Sequence, residues 1–297
     1  MIPIIDAHHH IWRQQDLPWL LGPMVPRIFG PYEAIRRDYL VEEYQEDFSQ
    51  SNVVASVYIQ VNWAAENAVE EVRWVNDVAD ASGWPTAIVG YANLLSEGAG
   101  DVLKAQSAFS RMRGIRMQLH WHENEMYRFA PEPNQMKHPL FRKNLAIIED
   151  YGWSFDLQLF ASQMADGAAL ANAFPNITFI LQHSGMLEDD SPDSRNIWRE
   201  GMKRLADCPN VVSKTSGLGT FIHKNSATHI KDIVDQTISL FGPERCIFGS
   251  NFPIEKLWTD YGSLVTAHRT ALEGYSEEVQ RAVLHDNAQR IYRLADT

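Results

Sequence analysis

With 297 residues, 45% of them hydrophobic and 22% charged, the chain has the length and composition of a globular enzyme with one large core. Its 38 Asp and Glu outnumber 26 Lys and Arg, and the formal charge of −12 argues against nucleic acid or an anionic membrane as partner. No run of 18 apolar residues and no leader pattern are found, and Cys208 and Cys246 form neither a framework nor a CxxC pair. A cytoplasmic chain with two buried thiols is the expectation, and a homo-oligomer is left open.

Short β-rich runs alternate with helical pattern along the chain. The apolar runs are 2–7, 53–61, 86–92, 113–119, 153–159, 177–182, 211–216 and 245–250. Between them Ala68, Val72, Val75 and Ala79 keep the helical period, as do Phe141, Leu145 and Ile148. Gly83-Trp84-Pro85, Tyr151-Gly152 and Phe174-Pro175-Asn176 supply stop signals. Eight strand–helix units without a linker predict a single (β/α)8 barrel over 1–297, with an eight-stranded open sheet as the alternative. Two long connections, about 11–38 and 120–138, follow carboxyl ends of strands, where barrels build their sites.

The first chemical signal is Ile5-Asp6-Ala7-His8-His9-His10. Strand alternation puts His8 and His10 on one side and His9 on the other, so His8 and His10 are placed to share a metal such as zinc. In strand four Ile115, Met117 and Leu119 alternate with Arg116, Gln118 and His120. The apolar set should face helices, leaving Arg116 and His120 to the barrel, where Arg116 suits a substrate carboxylate. Gln60 and Gln158 are weaker candidates for substrate hydroxyls. His183, before Ser184-Gly185, ends strand six ahead of a tight turn. The segment His120-Trp121-His122-Glu123 reads as a polar pocket wall rather than a second metal site. His223, His229 and the acidic Glu188-Asp189-Asp190 read as surface.

Taken in order, Asp6-Ala7-His8-His9-His10-Ile11-Trp12, Gly114-Ile115-Arg116, Phe155-Asp156-Leu157-Gln158, His183-Ser184-Gly185, Lys214-Thr215-Ser216-Gly217-Leu218 and Phe248-Gly249-Ser250-Asn251-Phe252-Pro253 resemble the amidohydrolase superfamily. More closely, they resemble its branch of sugar-acid and aromatic-degradation lactonases. The resemblance implies that His8, His10 and His183 hold one divalent ion, zinc by preference, or bind a carbonyl directly, since some relatives in the branch work without metal. Gln158 at the strand-five position, with no carboxylated-lysine motif, departs from a two-metal pattern. Asn251 stands where relatives carry an Asp that handles the attacking water.

An amide orients water but does not accept its proton. The base must then be Glu255, four residues on, one of the histidines, or a metal-bound hydroxide. The expected activity is hydrolysis of a small lactone, with His183, Asn251 and Glu255 catalytic and Arg116, Gln158, His120 and Gln60 holding the substrate. A metal-dependent decarboxylase of an aromatic acid and a silent metabolite-binding barrel are the alternatives.

Overall fold

The structure is a computed structural model that describes residues 2–295. Eight strands form one parallel sheet in sequential order: β1 (Ile4–His9), β2 (Val53–Ile59), β3 (Ala87–Gly90), β4 (Met112–Ile115), β5 (Ser154–Leu157), β6 (Phe179–Leu181), β7 (Val211–Thr215) and β8 (Cys246–Phe248). Each strand is followed by a helix: α1 (Val41–Phe48), α2 (Ala68–Ser82), α3 (Ala99–Gln106), α4 (Pro139–Asp150), α5 (Met164–Ala173), α6 (Pro192–Ala206), α7 (Ala227–Phe241) and α8 (Tyr261–Leu272). Backbone bonds from Asn251 N–H to the His8 carbonyl (2.7 Å) and from His10 N–H to the Phe252 carbonyl (2.8 Å) join the end of β8 to β1. The eight parallel strands therefore make a nearly closed barrel rather than an open sheet.

The observed strands are shorter than the apolar runs, because the last residues of several runs leave the ladder to form the mouth. Arg116 to Leu119 do so after β4, with His120 next in the chain, and Gln182 does so after β6, with His183 next. Helix α2 ends at Gly83, whose φ of 80° supplies the left-handed residue that closes a helix.

Two apolar layers hold the barrel. Outside it, Ile115, Phe155, Leu157 and Phe179 pack against helices in one continuous core. Inside, Ile5, Ala7, Val57, Val89, Ile180 and Ile247 meet Ala288, Tyr292 and Leu294 from the C-terminal segment, which plugs the amino-terminal end. Cys208 and Cys246 are free, buried thiols. Among the described residues no helix is long and apolar enough to cross a membrane.

Candidate active site

Strand β1 does not alternate strictly. Asp6 pairs with Ser56 but His9 with Tyr58, so β1 carries one residue more than β2 over that stretch, a β-bulge. The bulge lets Ile5 and Ala7 fill the lower interior while His8 and His10 also turn inward. His9 faces outward, stacks on Tyr44 at 3.9 Å between ring centres and places its Nε2 3.0 Å from Ser56 Oγ. It is a structural residue.

The bulged strand is anchored by Asp6, a buried carboxylate that accepts five hydrogen bonds. They come from Tyr44 and Tyr261 hydroxyls (both 2.9 Å), Ser250 Oγ (2.6 Å) and the backbone N–H groups of Ser250 (2.8 Å) and His8 (3.1 Å). This clamp fixes β1 to the end of β8, and with it the positions of His8 and Asn251.

The His8 ring centre lies 5.1 Å from that of His10 and 4.9 Å from that of His183. His10 Nδ1 is 2.7 Å from the Ile59 carbonyl, and His183 Nδ1 is 3.1 Å from the Ser216 carbonyl and 2.9 Å from Ser216 Oγ. A carbonyl only accepts, so both rings carry their proton on Nδ1 and keep a lone pair on Nε2. Both ring nitrogens of His8 are buried without a partner.

All three imidazoles are held neutral. Burial, then the charges of Lys214 and the neighbouring rings, lowers His8 well below the usual range; burial and Arg116 do the same for His10. His183 is brought down to about 3 by burial, with Arg116 and Lys214 adding to it.

Close approach by two glycines lets these rings sit where they do. A Cβ on Gly217 (φ 61°) would lie 2.5 Å from His183 Nδ1, and one on Gly249 would lie 2.6 Å from the His8 Cβ. Neither position has room for a side chain. His183 and Ser184 themselves adopt left-handed φ of 55° and 46°, which costs energy in non-glycine residues and commonly marks a functional turn.

The cluster opens into a cleft enclosing roughly 900 Å³ of empty space, solvent included. Arg116, Gln118 and His120, the polar set of the fourth run, line it, together with Gln158, Asn251, His10 and His183. Arg116 is buried, donates Nη2 to the Gln60 carbonyl and leaves Nε without an acceptor; burial lowers its pKa to about 10. His120, lowered to about 3 by burial and then Arg116, packs between Phe129 and Phe160.

Gln158 turns an unpartnered Oε1 into the site, its Nε2 lying 3.5 Å from Met186 Sδ. Gln60 sits deeper: its Oε1 accepts from Asn62 N–H at 2.7 Å, and its carbonyl supports Arg116. It does not line the cleft among the described residues.

Glu255, read from sequence as the leading base, is fully buried behind Asn251 and is not part of the cleft wall. The turn after β8 folds it back, where it accepts from Trp258 Nε1 (2.8 Å) and Thr220 Oγ1 (3.5 Å) and bonds the Asn251 side chain. Burial raises its pKa to about 8.

Sequence alone does not mark Lys214 and Asp156 as site residues. Both are fully buried inside the barrel, paired at 3.2 Å, with Gln182 Nε2 donating to the same Asp156 oxygen at 2.8 Å. The parity of Lys214 with the inward Val212 on β7 was the available signal. Glu188, which reads from sequence as surface, is half-buried and meets His122 Nε2 at 3.0 Å, joining the loops after β4 and β6. With Trp121 and Glu123, His122 lines a neighbouring cleft. His223 is exposed and His229 half-buried.

The metal question turns on the donors. Two imidazoles on one tetrahedral zinc, with Zn–N of about 2.0–2.1 Å, have ring centres about 5 Å apart, as His8 has from each partner. The carbonyl-fixed tautomers and the orphaned nitrogens of His8 also suit a metal. Among the described residues, however, no three His, Cys, Asp or Glu side chains are already arranged to hold an ion. The donor set fits in kind and spacing without forming a finished cage.

A parallel barrel carrying a histidine cluster at the carboxyl ends of its strands defines a class of enzyme scaffold. The amidohydrolase family model matches residues 5–294, and the chain belongs to that family. It is 36% identical to the uncharacterised protein y4mH of Sinorhizobium fredii, over 99% of both chains. It is 26% identical to an L-fucono-1,5-lactonase of Burkholderia multivorans, over 98% of this chain and 96% of that one. An amidohydrolase from the same species, solved with zinc bound, superposes with a TM-score of 0.82 at 24% identity, over 99% of this chain and 100% of that one.

Proposed function

We propose that the protein is a hydrolase that opens a small lactone. The observation that carries this reading is the convergence of the neutral His10 and His183 and the unsatisfied Arg116 Nε in one cleft, with the neutral His8 buried against both rings. The lactonase relative and the family support it.

In this reading the lactone carbonyl oxygen meets Arg116, with the buried Lys214 adding positive potential below. Water oriented by Asn251 adds to the carbonyl carbon, and His183 Nε2 takes its proton. The Ser216 carbonyl, accepting from Nδ1, steadies the imidazolium. Collapse breaks the ring C–O bond, and the proton passes to the departing alkoxide, giving a hydroxy acid. His183 is a weak base in the free site partly because of Arg116 and Lys214. Negative charge growing on the substrate offsets those cations, so the ring gains basicity as the oxyanion forms. A divalent ion, zinc by preference, would be held by His8, His10 and His183 and would supply Lewis-acid polarisation and a more acidic water; with its Nε2 lone pair given to the ion, His183 would then be a ligand and not the base.

The test is a lactone panel followed with a pH indicator, run on protein of measured metal content. Acid release from at least one lactone, lost in the His183→Gln variant, is the expected result. No acid release across the panel, with carbon dioxide formed from hydroxybenzoates instead, would overturn it in favour of a decarboxylase.

A further inference from the structure

The chain carries 38 acidic residues and a charge of −12, yet among the described residues no Asp or Glu lines the main cleft, while three arginines do. The three differ in what their guanidinium groups already hold. Arg128 donates Nε to the His122 carbonyl and Nη2 to the Glu123 carbonyl, both at 2.9 Å. Arg116 is partly engaged with Gln60 at the floor. Arg27, in the long connection after β1, makes no side-chain hydrogen bond or ion pair among the described residues, and its Nε is buried without an acceptor.

Arg27 is nonetheless held in place. Its guanidinium carbon stands 5.8 Å from the Trp19 ring centre, and Trp19 is itself tied to the Val61 carbonyl at 3.0 Å. The Arg27–Gly30 turn closes through Gly30 N–H to the Arg27 carbonyl, 2.9 Å, and His223 Nε2 reaches the Ile28 carbonyl from the loop after β7, also at 2.9 Å. A cation fixed over an aromatic ring, with its planar fork free in an acid-free cleft, is a site for an oxyanion.

We propose that Arg27 anchors a carboxylate at the mouth of the cleft. The substrate class is then a lactone bearing an anionic group remote from the carbonyl that Arg116 meets, a deepening that rests on the lactonase reading. Phe29, Tyr127 and Phe221 line the same cleft and give the body between the two ends an apolar wall.

The test separates this inference from the lactonase reading by measuring binding. Isothermal titration of the whole protein with isophthalate, and with isophthalamide as its neutral counterpart, gives a charge preference as a ratio of dissociation constants. The expected preference for isophthalate is at least about tenfold. Arg27→Gln should cut that ratio about tenfold, the scale of one lost charge-assisted contact, and Arg27→Lys should cut it less. Thermal melts check that the variants fold. If wild type binds both compounds equally, or binds neither, the proposal is overturned. A ratio unmoved by Arg27→Gln overturns it too, whatever happens to the separate affinities. A preference that depends on Arg27 in a protein that opens no lactone leaves the anion site standing and removes the lactonase reading. Lactone opening with no such preference does the reverse.

Discussion

The two ends of the barrel interior are built on opposite terms. At the amino-terminal end Ile5, Ala7, Val57 and Ile247 close on Ala288, Tyr292 and Leu294 in an apolar plug. At the carboxyl end β1 delivers His8 and the segments after β2, β4 and β5 deliver Gln60, Arg116, His120 and Gln158, each with a buried nitrogen or oxygen that has no hydrogen-bond partner among the described residues. An unsatisfied buried polar group costs about 1–3 kcal/mol. The upper layer is therefore a set of groups held ready at the expense of stability, and the lower layer supplies the stability that tolerates it. Between them lies the Lys214–Asp156 pair, which supports the upper layer from beneath.

Strand β1 runs through both ends, so changes a few residues apart should separate the two roles. The double change His8→Ala with His10→Ala should lower turnover by at least about 10²–10⁴, the range for loss of acid–base or electrostatic groups. Its melting temperature should fall less than that of Ile5→Ala, because removing the two orphaned His8 nitrogens offsets part of the packing and the His10–Ile59 bond that are lost; lactone kinetics beside a thermal melt measure both. Ile5→Ala is the converse. Deleting that fully buried side chain should cost about 2–5 kcal/mol of stability in denaturant titration while turnover per folded molecule stays near wild type. A double mutant that melts as early as Ile5→Ala would dissolve the distinction between the two ends.

The lower end was more legible in the sequence than the upper one. Apolar runs mark all eight strands, and helical period marks two of the helices between them, because burial of a parallel strand leaves a local trace in every residue. Strand alternation pairs His8 with His10, yet continued from Ile5 it puts Ile5, Ala7 and His9 inside the barrel and the pair outside. The bulge that turns the pair inward depends on the register with β2 and on the Asp6 clamp, neither of which is local. Lys214 and Asp156 meet across a strand, and Arg27 reaches the cleft by the path of a long loop. Glu255 shows the same gap: nearness in sequence to Asn251 suggested a base, and the turn placed it behind the amide instead.

Arg116→Lys sharpens the comparison on the polar side alone. Lysine keeps the charge but not the fork that reaches both the Gln60 carbonyl and the cleft. Because Arg116 meets the carbonyl that every lactone carries, kcat/KM should fall roughly 10- to 100-fold for anionic and neutral lactones alike, on the scale of about 1.5–3 kcal/mol for a bond to a charged group. A loss confined to anionic lactones would move Arg116 from the carbonyl to the substrate's anionic group. No loss for either would make it a structural support of the Gln60 carbonyl and nothing more.

Among the changes at the polar end, the smallest expected loss of turnover is at Glu255, where the two demands meet in one residue. Its pKa is raised by burial from an ordinary carboxylate value to about 8, so the folded state holds this proton more tightly than the unfolded chain does. The sign follows from linkage: the associated stability is full below about pH 4.5 and is lost as pH rises through about 8. Glu255→Gln has no proton to lose and keeps an acceptor for Trp258 Nε1. The variant should therefore melt close to wild type at pH 5 and on the order of 10 °C above it at pH 8, at about 1.4 kcal/mol per pKa unit and about 2–4 °C per kcal/mol. Turnover should fall less than about tenfold, since the amide still holds the Asn251 side chain. Melts at the two pH values and a pH–rate profile decide the matter together. A loss of about 10²–10⁴ in turnover, with disappearance of a rate increase centred near pH 8, would instead make Glu255 the general base, acting past Asn251 on the water. In that case Asn251→Asp should restore part of the rate to Glu255→Gln, by putting a carboxylate on the cleft wall where only an amide stands now.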